Sequence, residues 1–191
     1  MTGAIDPLET AVAVAGIFDR LGIVHTIGGS IAASFAGEPR STIDIDFVAV
    51  VREDQVSALV EAFKADFYVD EDALRRAVRL KSSANLIEQR TQLKIDLFIA
   101  GGTPLDEQQL KRRQPIRLGS GQTVYVHPPE DILLQKLRWY RLGGEQSDRQ
   151  WRDILGIVRV QGPRLDRGYL EANAPVLEVS DLLLRALDAS A

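Results

Sequence analysis

The sequence DIDFVAVV at residues 44–51 decides the fold, because it joins an apolar strand to two carboxylates. Asp44 and Asp46 are two residues apart, so on a β-strand their side chains leave the same face. The apolar residues between and after them supply an opposite face that can enter a core. A second short apolar run, residues 93–99, carries Asp96. Three carboxylates on two strands provide the oxygen ligands that Mg²⁺ prefers, with coordination places left for water and phosphate.

The aspartate pair can also be interpreted as the solvated edge of a strand. Each of Asp44 and Asp46 adjoins isoleucine, and neither has a Lys or Arg next to it in the sequence. Paired like charges on a largely apolar strand are costly unless a cation or another partner compensates them. On these residues alone, the metal site and the solvated edge both stay open.

A glycine turn precedes the aspartates and favours the interpretation of this region as a phosphate-binding site beside the metal site. Residues 23–27 predict a strand, Gly28 and Gly29 a turn, and residues 31–36 a helix with Ser30 as its N-cap. Paired glycines allow the backbone to approach a ligand closely, and a helix N-terminus favours phosphate. The alternative is an ordinary strand-to-helix turn.

These motifs together resemble the polymerase-β-type nucleotidyltransferase superfamily, and within it the AbiEii-toxin-like and minimal nucleotidyltransferase branches. The resemblance covers most of residues 24–160, and the gap from Gly29 to Asp44 suits the AbiEii-like pattern. Its segments are GGS at 28–30, GEPRSTIDID at 37–46, KID at 94–96, PPEDILLQKLRW at 128–139 and WRDIL at 151–155.

The resemblance implies a role for each of the first three motifs. Gly28, Gly29 and Ser30 would hold the β- and γ-phosphates of a nucleoside triphosphate. Mg²⁺ or Mn²⁺ would be bound by three metal ligands, Asp44, Asp46 and Asp96. Asp96 would also accept the proton of the attacking hydroxyl.

The remaining implied site residues are two basic side chains and one acidic side chain. Lys136 would place a positive charge on the triphosphate, and Asp153 matches the last acidic motif of the nucleotide-binding site. The planar guanidinium group of Arg40 could bind phosphate through two parallel N–H donors. A solvated helix lysine is the alternative for Lys136, and a turn arginine paired with Glu38 is the alternative for Arg40.

Composition excludes several classes of protein. The 191 residues contain no cysteine and two histidines, which argues against a disulfide framework and against a thiolate or histidine zinc site. No signal peptide and no membrane-spanning run is recognised, so a cytoplasmic protein with no membrane association is expected. The chain has 23 basic and 27 acidic residues, a net charge of −4, and so lacks the excess positive charge typical of nucleic-acid-binding proteins. This favours a small substrate or a limited contact such as an RNA end.

The order of elements predicts an α+β fold with a mixed sheet flanked by helices, followed by a C-terminal helical bundle. We expect a catalytic domain over 1–127 and a helical region over 128–191. Aromatic residues of the helical region, including Trp139, are expected in its core rather than on a base-stacking surface. The predicted helices are 7–20, 31–36, 53–64, 70–78, 105–110, 130–141, 148–160, 166–172 and 179–187; the predicted strands are 23–27, 44–51, 83–89, 91–99, 116–118 and 123–126.

The sequence therefore predicts a metal-dependent nucleotidyltransferase that moves a nucleoside monophosphate from a nucleoside triphosphate to an acceptor hydroxyl. The acceptor is an RNA end, a protein or a small molecule, and family analogy adds a toxin–antitoxin role with an antitoxin protein as partner. A catalytically silent nucleotide-binding module and a metal-dependent nuclease or phosphatase are the alternatives.

Overall fold

The computed structural model of the protein describes residues 6–39 and 42–189, which form two compact units. The first unit contains residues 6–31 and 42–126, and the second contains residues 32–39 and 127–189. Arg40 lies outside the described residues, so its phosphate contact stays a prediction. The division into domains at residue 127 also stays a prediction.

The first unit is built on a mixed β-sheet. Its strands are β1 (His25–Ile27), β2 (Ile45–Ala49), β3 (Phe67–Val69), β4 (Ser83–Glu88), β5 (Lys94–Ile99), β6 (Gln114–Arg117) and β7 (Thr123–Val126). Within the described residues, these seven strands lie in the order β3-β4-β5-β2-β1-β7-β6. The pairs β2–β5 and β1–β7 are parallel, and the other neighbouring pairs are antiparallel.

Helices connect these strands, and local sequence sets where the helices begin. They are α1 (Pro7–Arg20), α2 (Gly29–Ala36), α3 (Val56–Phe63), α4 (Glu71–Leu80) and α5 (Pro104–Arg112), with a 3-10 turn at Glu53–Gln55 before α3. The Asp6 carboxylate accepts from the Leu8 N–H and caps α1, and Pro7 occupies its first turn. Asp70 caps α4 and Thr103 caps α5 in the same way.

One face of the sheet is the core of the first unit. Along β2, Ile45, Phe47 and Ala49 are buried, whereas the residues between them are only partly buried. The Phe18 ring of α1 lies 5.5 Å from the Phe47 ring and 5.9 Å from the Phe63 ring of α3. Helices α1 and α3 therefore cover this apolar face, and the alternate residues of β2 belong to the other face.

The second unit is helical. Its described part contains residues 32–36 of α2 and four further helices. These are α6 (Pro129–Leu142), α7 (Asp148–Gln161), α8 (Arg167–Asn173) and α9 (Ser180–Asp188), with 3-10 turns at Gly162–Arg164 and Pro175–Leu177. The fully buried Asp131 accepts a hydrogen bond of 2.5 Å from the Tyr169 hydroxyl, which satisfies a carboxylate inside an apolar core. Within residues 6–39 and 42–189, no helix has the length and apolarity needed to cross a bilayer.

The α+β fold with a mixed sheet, flanking helices and C-terminal helices is confirmed. Helix α1 has the predicted bounds, and the pairings of β4 with β5 and of β6 with β7 are also as predicted. The short strand β3 was not predicted, because its three residues are too few for a periodic pattern.

Two local predictions were wrong. Helix α2 begins at Gly29, so Ser30 lies in its first turn and is not its N-cap. Gly29 has a φ of +54°, which glycine adopts readily, and the chain therefore turns into the helix before the serine. Trp139 is 48% exposed and not in the core, because the buried stripe of α6 passes through Leu133, Leu137 and Tyr140 instead.

The buried His25 gives the first unit a specific pH dependence. Burial lowers the pKa of His25 below its ordinary 6.5, although the hydrogen bond with the Ile23 carbonyl and the charge of Asp19 oppose this. The unfolded chain therefore takes up a proton near pH 6.5 while the folded protein does not, and the free energy of unfolding falls as the pH drops below this value.

We expect His25→Leu to remove this component of the pH dependence. Between pH 7.5 and 5.5, the free energy of unfolding should fall more in the wild type than in the variant, by up to about 1.4 kcal/mol per pH unit below the unfolded pKa. Urea denaturation at the two pH values measures the difference. Equal changes in the two proteins would mean that folded His25 is protonated as readily as in the unfolded chain.

Candidate active site

Polar groups from four neighbouring segments lie in one row on the open face of the sheet, which is the face opposite the core formed with α1 and α3. Asp46 on β2 is the register partner of Asp96 on the parallel strand β5. Asn85 on β4 is the register partner of Asp96 on its other side, and Gly28 donates its N–H to the Asp46 carbonyl at 2.9 Å. Because register partners in a sheet point to the same face, the side chains of Asn85, Asp96 and Asp46 lie side by side.

The carboxylates of this row are accessible, while the residues behind them are buried. Asp46 is half-buried, and the side chain of Asp96 is 29% exposed. Asp44 is exposed just before β2, where its N–H donates to the Thr42 hydroxyl at 3.2 Å. All three aspartates are therefore at least partly accessible to solvent.

The glycine turn lies directly against one of the aspartates. A Cβ atom built on Gly29 would overlap the Asp46 carboxylate group, so only glycine permits this approach. The turn leads into α2, whose first residues include Ser30. The structure thus brings the glycine motif and the aspartate motif together at the N-terminal end of a helix.

A lysine that the sequence analysis did not assign also belongs to this site. Lys94 is two residues before Asp96 on β5, so both side chains leave the same face, and the Lys94 Nζ lies 2.9 Å from Asp96 Oδ1. The hydrogen bond with Asp96 raises the pKa of Lys94, and the charges of Asp96, Asp44 and Asp46 add to this effect. The sequence signal for this contact is the two-residue spacing of Lys94 and Asp96 within an apolar strand.

The aspartates suit a divalent cation in the chemistry of their oxygen ligands. Within residues 6–39 and 42–189, no group of three or more Asp, Glu or His side chains is placed so that it could hold a metal ion. However, the row presents hard oxygen ligands, and the Lys94 ammonium shows that a positive charge is favoured beside them. Binding of Mg²⁺ or Mn²⁺ by these residues stays a prediction.

The other two predicted site residues form an ion pair within the helical unit. The Lys136 Nζ of α6 lies 2.8 Å from Asp153 Oδ2 of α7, and their side chains are 11% and 7% exposed. The interpretation of Lys136 as a solvated helix lysine was therefore wrong. Asp153 also borders a cavity of about 180 Å³; its other lining residues are Ala33, Ser34, Glu38, Pro39, Arg152 and Gly156.

Comparison with known proteins places this architecture among nucleotidyltransferase-like folds. No family model and no curated protein matches the chain. Solved structures do match it, over 81% to 96% of the chain for the three described next, and at these low sequence identities they establish only the fold.

Three of these structures show the range of similar proteins. An antigenic nucleotidyltransferase-like protein from Paracoccidioides brasiliensis is 23% identical, with a TM-score of 0.58 over 96% of this chain and 93% of that chain. The antibiotic-resistance factor ANT(2'')-Ia is 15% identical, with a TM-score of 0.59 over 95% of this chain and 97% of that one. The lincosamide antibiotic adenylyltransferase LnuA, solved with lincomycin bound, is 11% identical, with a TM-score of 0.52 over 81% of this chain and 96% of that one.

The close approach of Gly29 to Asp46 predicts the effect of adding one methyl group. Gly29→Ala should lower the free energy of unfolding by more than the roughly 1–2 kcal/mol that a left-handed conformation costs an alanine, because the new Cβ displaces the Asp46 carboxylate. Gly22→Ala is the matched control, since Gly22 has a φ of +62° and open space around its Cα. Urea denaturation of both variants gives the comparison, and equal losses would show that Asp46 moves aside freely.

The buried ion pair of the helical unit predicts a large loss when one partner is removed. Lys136→Met leaves the Asp153 carboxylate buried without its ammonium partner, so the free energy of unfolding should fall by about 3 kcal/mol. The double variant Lys136→Met/Asp153→Leu should recover much of this loss, because it removes both charges. A loss below about 1 kcal/mol for the single variant, measured by urea denaturation, would mean that water replaces the lysine.

Proposed function

We propose that this protein is a metal-dependent nucleotidyltransferase that moves a nucleoside monophosphate from a nucleoside triphosphate to an acceptor hydroxyl and releases pyrophosphate. One observation carries the proposal: Asp46 and Asp96 are register partners on parallel strands, and the Gly29 backbone lies directly against Asp46. This arrangement combines acidic ligands with a helix N-terminus, as transfer of a phosphoryl-linked group requires.

The glycine turn is assigned to the triphosphate. The first turn of a helix has backbone N–H groups without intrahelical partners, and the absence of a side chain at Gly29 lets phosphate approach them. The Gly28 N–H already bonds to the Asp46 carbonyl, so its part is to hold the turn against β2. Ser30 would add a hydroxyl donor from within the first turn of α2.

The aspartates are assigned to the reacting groups. Asp44, Asp46 and Asp96 would hold Mg²⁺ or Mn²⁺, which when bound supplies positive charge to the phosphate oxygens. Asp96, whose carboxylate is partly exposed on the open face, accepts the proton of the acceptor hydroxyl. The acceptor oxygen then forms a bond to the α-phosphorus, the bond from this phosphorus to the bridging oxygen breaks, and pyrophosphate leaves.

The helical unit is assigned a supporting role in nucleotide binding. The Asp153 side chain borders the cavity described above and is held by Lys136, so the pair fixes one part of the cavity wall. A nucleoside has hydroxyl and amino groups that such a carboxylate could bind. The family resemblance implies that Lys136 places its positive charge on the triphosphate. For this, Lys136 must separate from Asp153 during the reaction.

A small-molecule acceptor is favoured over nucleic acid. The net charge of −4 disfavours an extended contact with a phosphate backbone. One similar structure is named as an adenylyltransferase of a lincosamide antibiotic, and another as an antibiotic-resistance factor. An RNA end or a protein hydroxyl is the other acceptor class, and the AbiEii-like resemblance supports a toxin role with an antitoxin partner.

The test is release of pyrophosphate from each nucleoside triphosphate in the presence of Mg²⁺ or Mn²⁺ and a cell extract. The wild type should release pyrophosphate, and Asp96→Asn should lower the rate about 10²- to 10⁴-fold, because the proton acceptor is lost. Asp46→Asn should lower it at least as much. Asp54→Asn is the matched control, since Asp54 is an exposed carboxylate paired with Arg52, and it should behave as wild type.

The products separate the proposal from its alternatives. With an α-labelled nucleotide, label in a small molecule, RNA or protein identifies the acceptor. Nucleotide binding without pyrophosphate release would instead indicate a catalytically silent binding module. Cleavage of RNA or of phosphate esters without nucleotide transfer would indicate a nuclease or phosphatase.

A further inference from the structure

We propose that Lys94 is a built-in counter-ion of the aspartate site and competes with a divalent cation for it. The inference rests on the proposed function, because it concerns the cation that the site would take. Lys94 would thereby set how tightly the site binds metal in the absence of nucleotide.

The geometry of β5 places the Lys94 ammonium against the Asp96 carboxylate. Lys94 and Asp96 share one face of the strand, and Asp46 lies beside Asp96 in register. The ammonium lies 2.9 Å from Asp96 Oδ1, and it interacts electrostatically with Asp44 and Asp46 as well. A positive charge on the chain itself therefore already acts on every aspartate that would bind the metal.

This positive charge offsets the repulsion between the aspartates. Clustered carboxylates destabilise one another when no cation is present. The Lys94 ammonium reduces this cost in the metal-free protein. When a divalent cation binds the same carboxylates, it repels the ammonium, so metal binding weakens the contact between Lys94 and Asp96.

The exposure of Lys94 makes such an exchange feasible. Its side chain is 57% exposed, and solvated lysine side chains move at little cost. The Lys136–Asp153 pair provides the contrast, because its side chains are only 11% and 7% exposed and a separated charge would have little solvent around it. Lys94 is thus placed to leave its partner when another cation arrives, whereas Lys136 is not.

The experiment is a titration with Mn²⁺, without nucleotide, that measures free Mn²⁺ by electron paramagnetic resonance. Lys94→Met keeps the aliphatic length and removes the charge, so it should bind Mn²⁺ roughly threefold to tenfold more tightly than the wild type. Lys94→Arg keeps the positive charge and should stay close to the wild type. Lys64→Met is the matched control, since Lys64 also forms an exposed pair with a carboxylate, Glu61, on another element.

A second measurement checks the same competition through stability. The rise in melting temperature on addition of Mn²⁺ should be larger for Lys94→Met than for the wild type or Lys64→Met, because binding to the folded state stabilises it. Equal or weaker Mn²⁺ binding by Lys94→Met would overturn the inference, as would an absence of Mn²⁺ binding in every variant.

The outcomes for Lys94 and for the proposed function are separable. If the wild type releases pyrophosphate and Lys94→Met binds Mn²⁺ no more tightly, only the inference about Lys94 fails. If Lys94→Met binds Mn²⁺ more tightly and the wild type transfers no nucleotide, only the proposed function fails.

Discussion

The parallel pairing of β2 with β5 is the constraint on which the site depends. It places Asp46 beside Asp96, although the two residues are separated by a long crossover that contains α3, β3, α4 and β4. A slip of one residue in this pairing would turn one strand's carboxylates toward the core. The buried residues Ile45, Phe47 and Leu97 oppose such a slip, because shifting a strand by one residue would turn its buried side chains away from the core. Packing on one face of the sheet thus fixes the chemistry on the other.

The glycine turn depends on the same strand. Gly28 bonds to the Asp46 backbone, and Gly29 lies against the Asp46 side chain with a φ of +54°. Two requirements therefore coincide at Gly29, a left-handed backbone and the absence of a Cβ, and only glycine meets both without strain. The start of helix α2 is in this way attached to the carboxylate row. The turn is therefore part of the site, because Gly29 contacts Asp46, which lies 17 positions later in the sequence.

Two lysine–aspartate pairs of similar length behave differently because their solvent exposure differs. Lys94 and Asp96 meet at 2.9 Å on an open face, where water screens the charges and either side chain can move. Lys136 and Asp153 meet at 2.8 Å with both side chains nearly buried, where a separated charge would have little solvent around it. The first pair suits a site that exchanges cations. The second suits a fixed support between two helices, and any direct action of Lys136 on a nucleotide requires it to leave that support.

The sequence by itself determined the features that arise over a few residues. Asp6 and Pro7 start α1 through a cap and a fixed φ, and strand alternation assigns Asp46 to the face opposite Phe47. Only the tertiary structure decided the register of Asp46 with Asp96, the place of Asn85 in the same row, and the pairing of Lys136 with Asp153. The physical reason is the separation along the chain over which each interaction acts. Capping, dihedral preference and periodicity act along adjacent residues, whereas register and ion pairing depend on which distant segments meet when the apolar faces are buried.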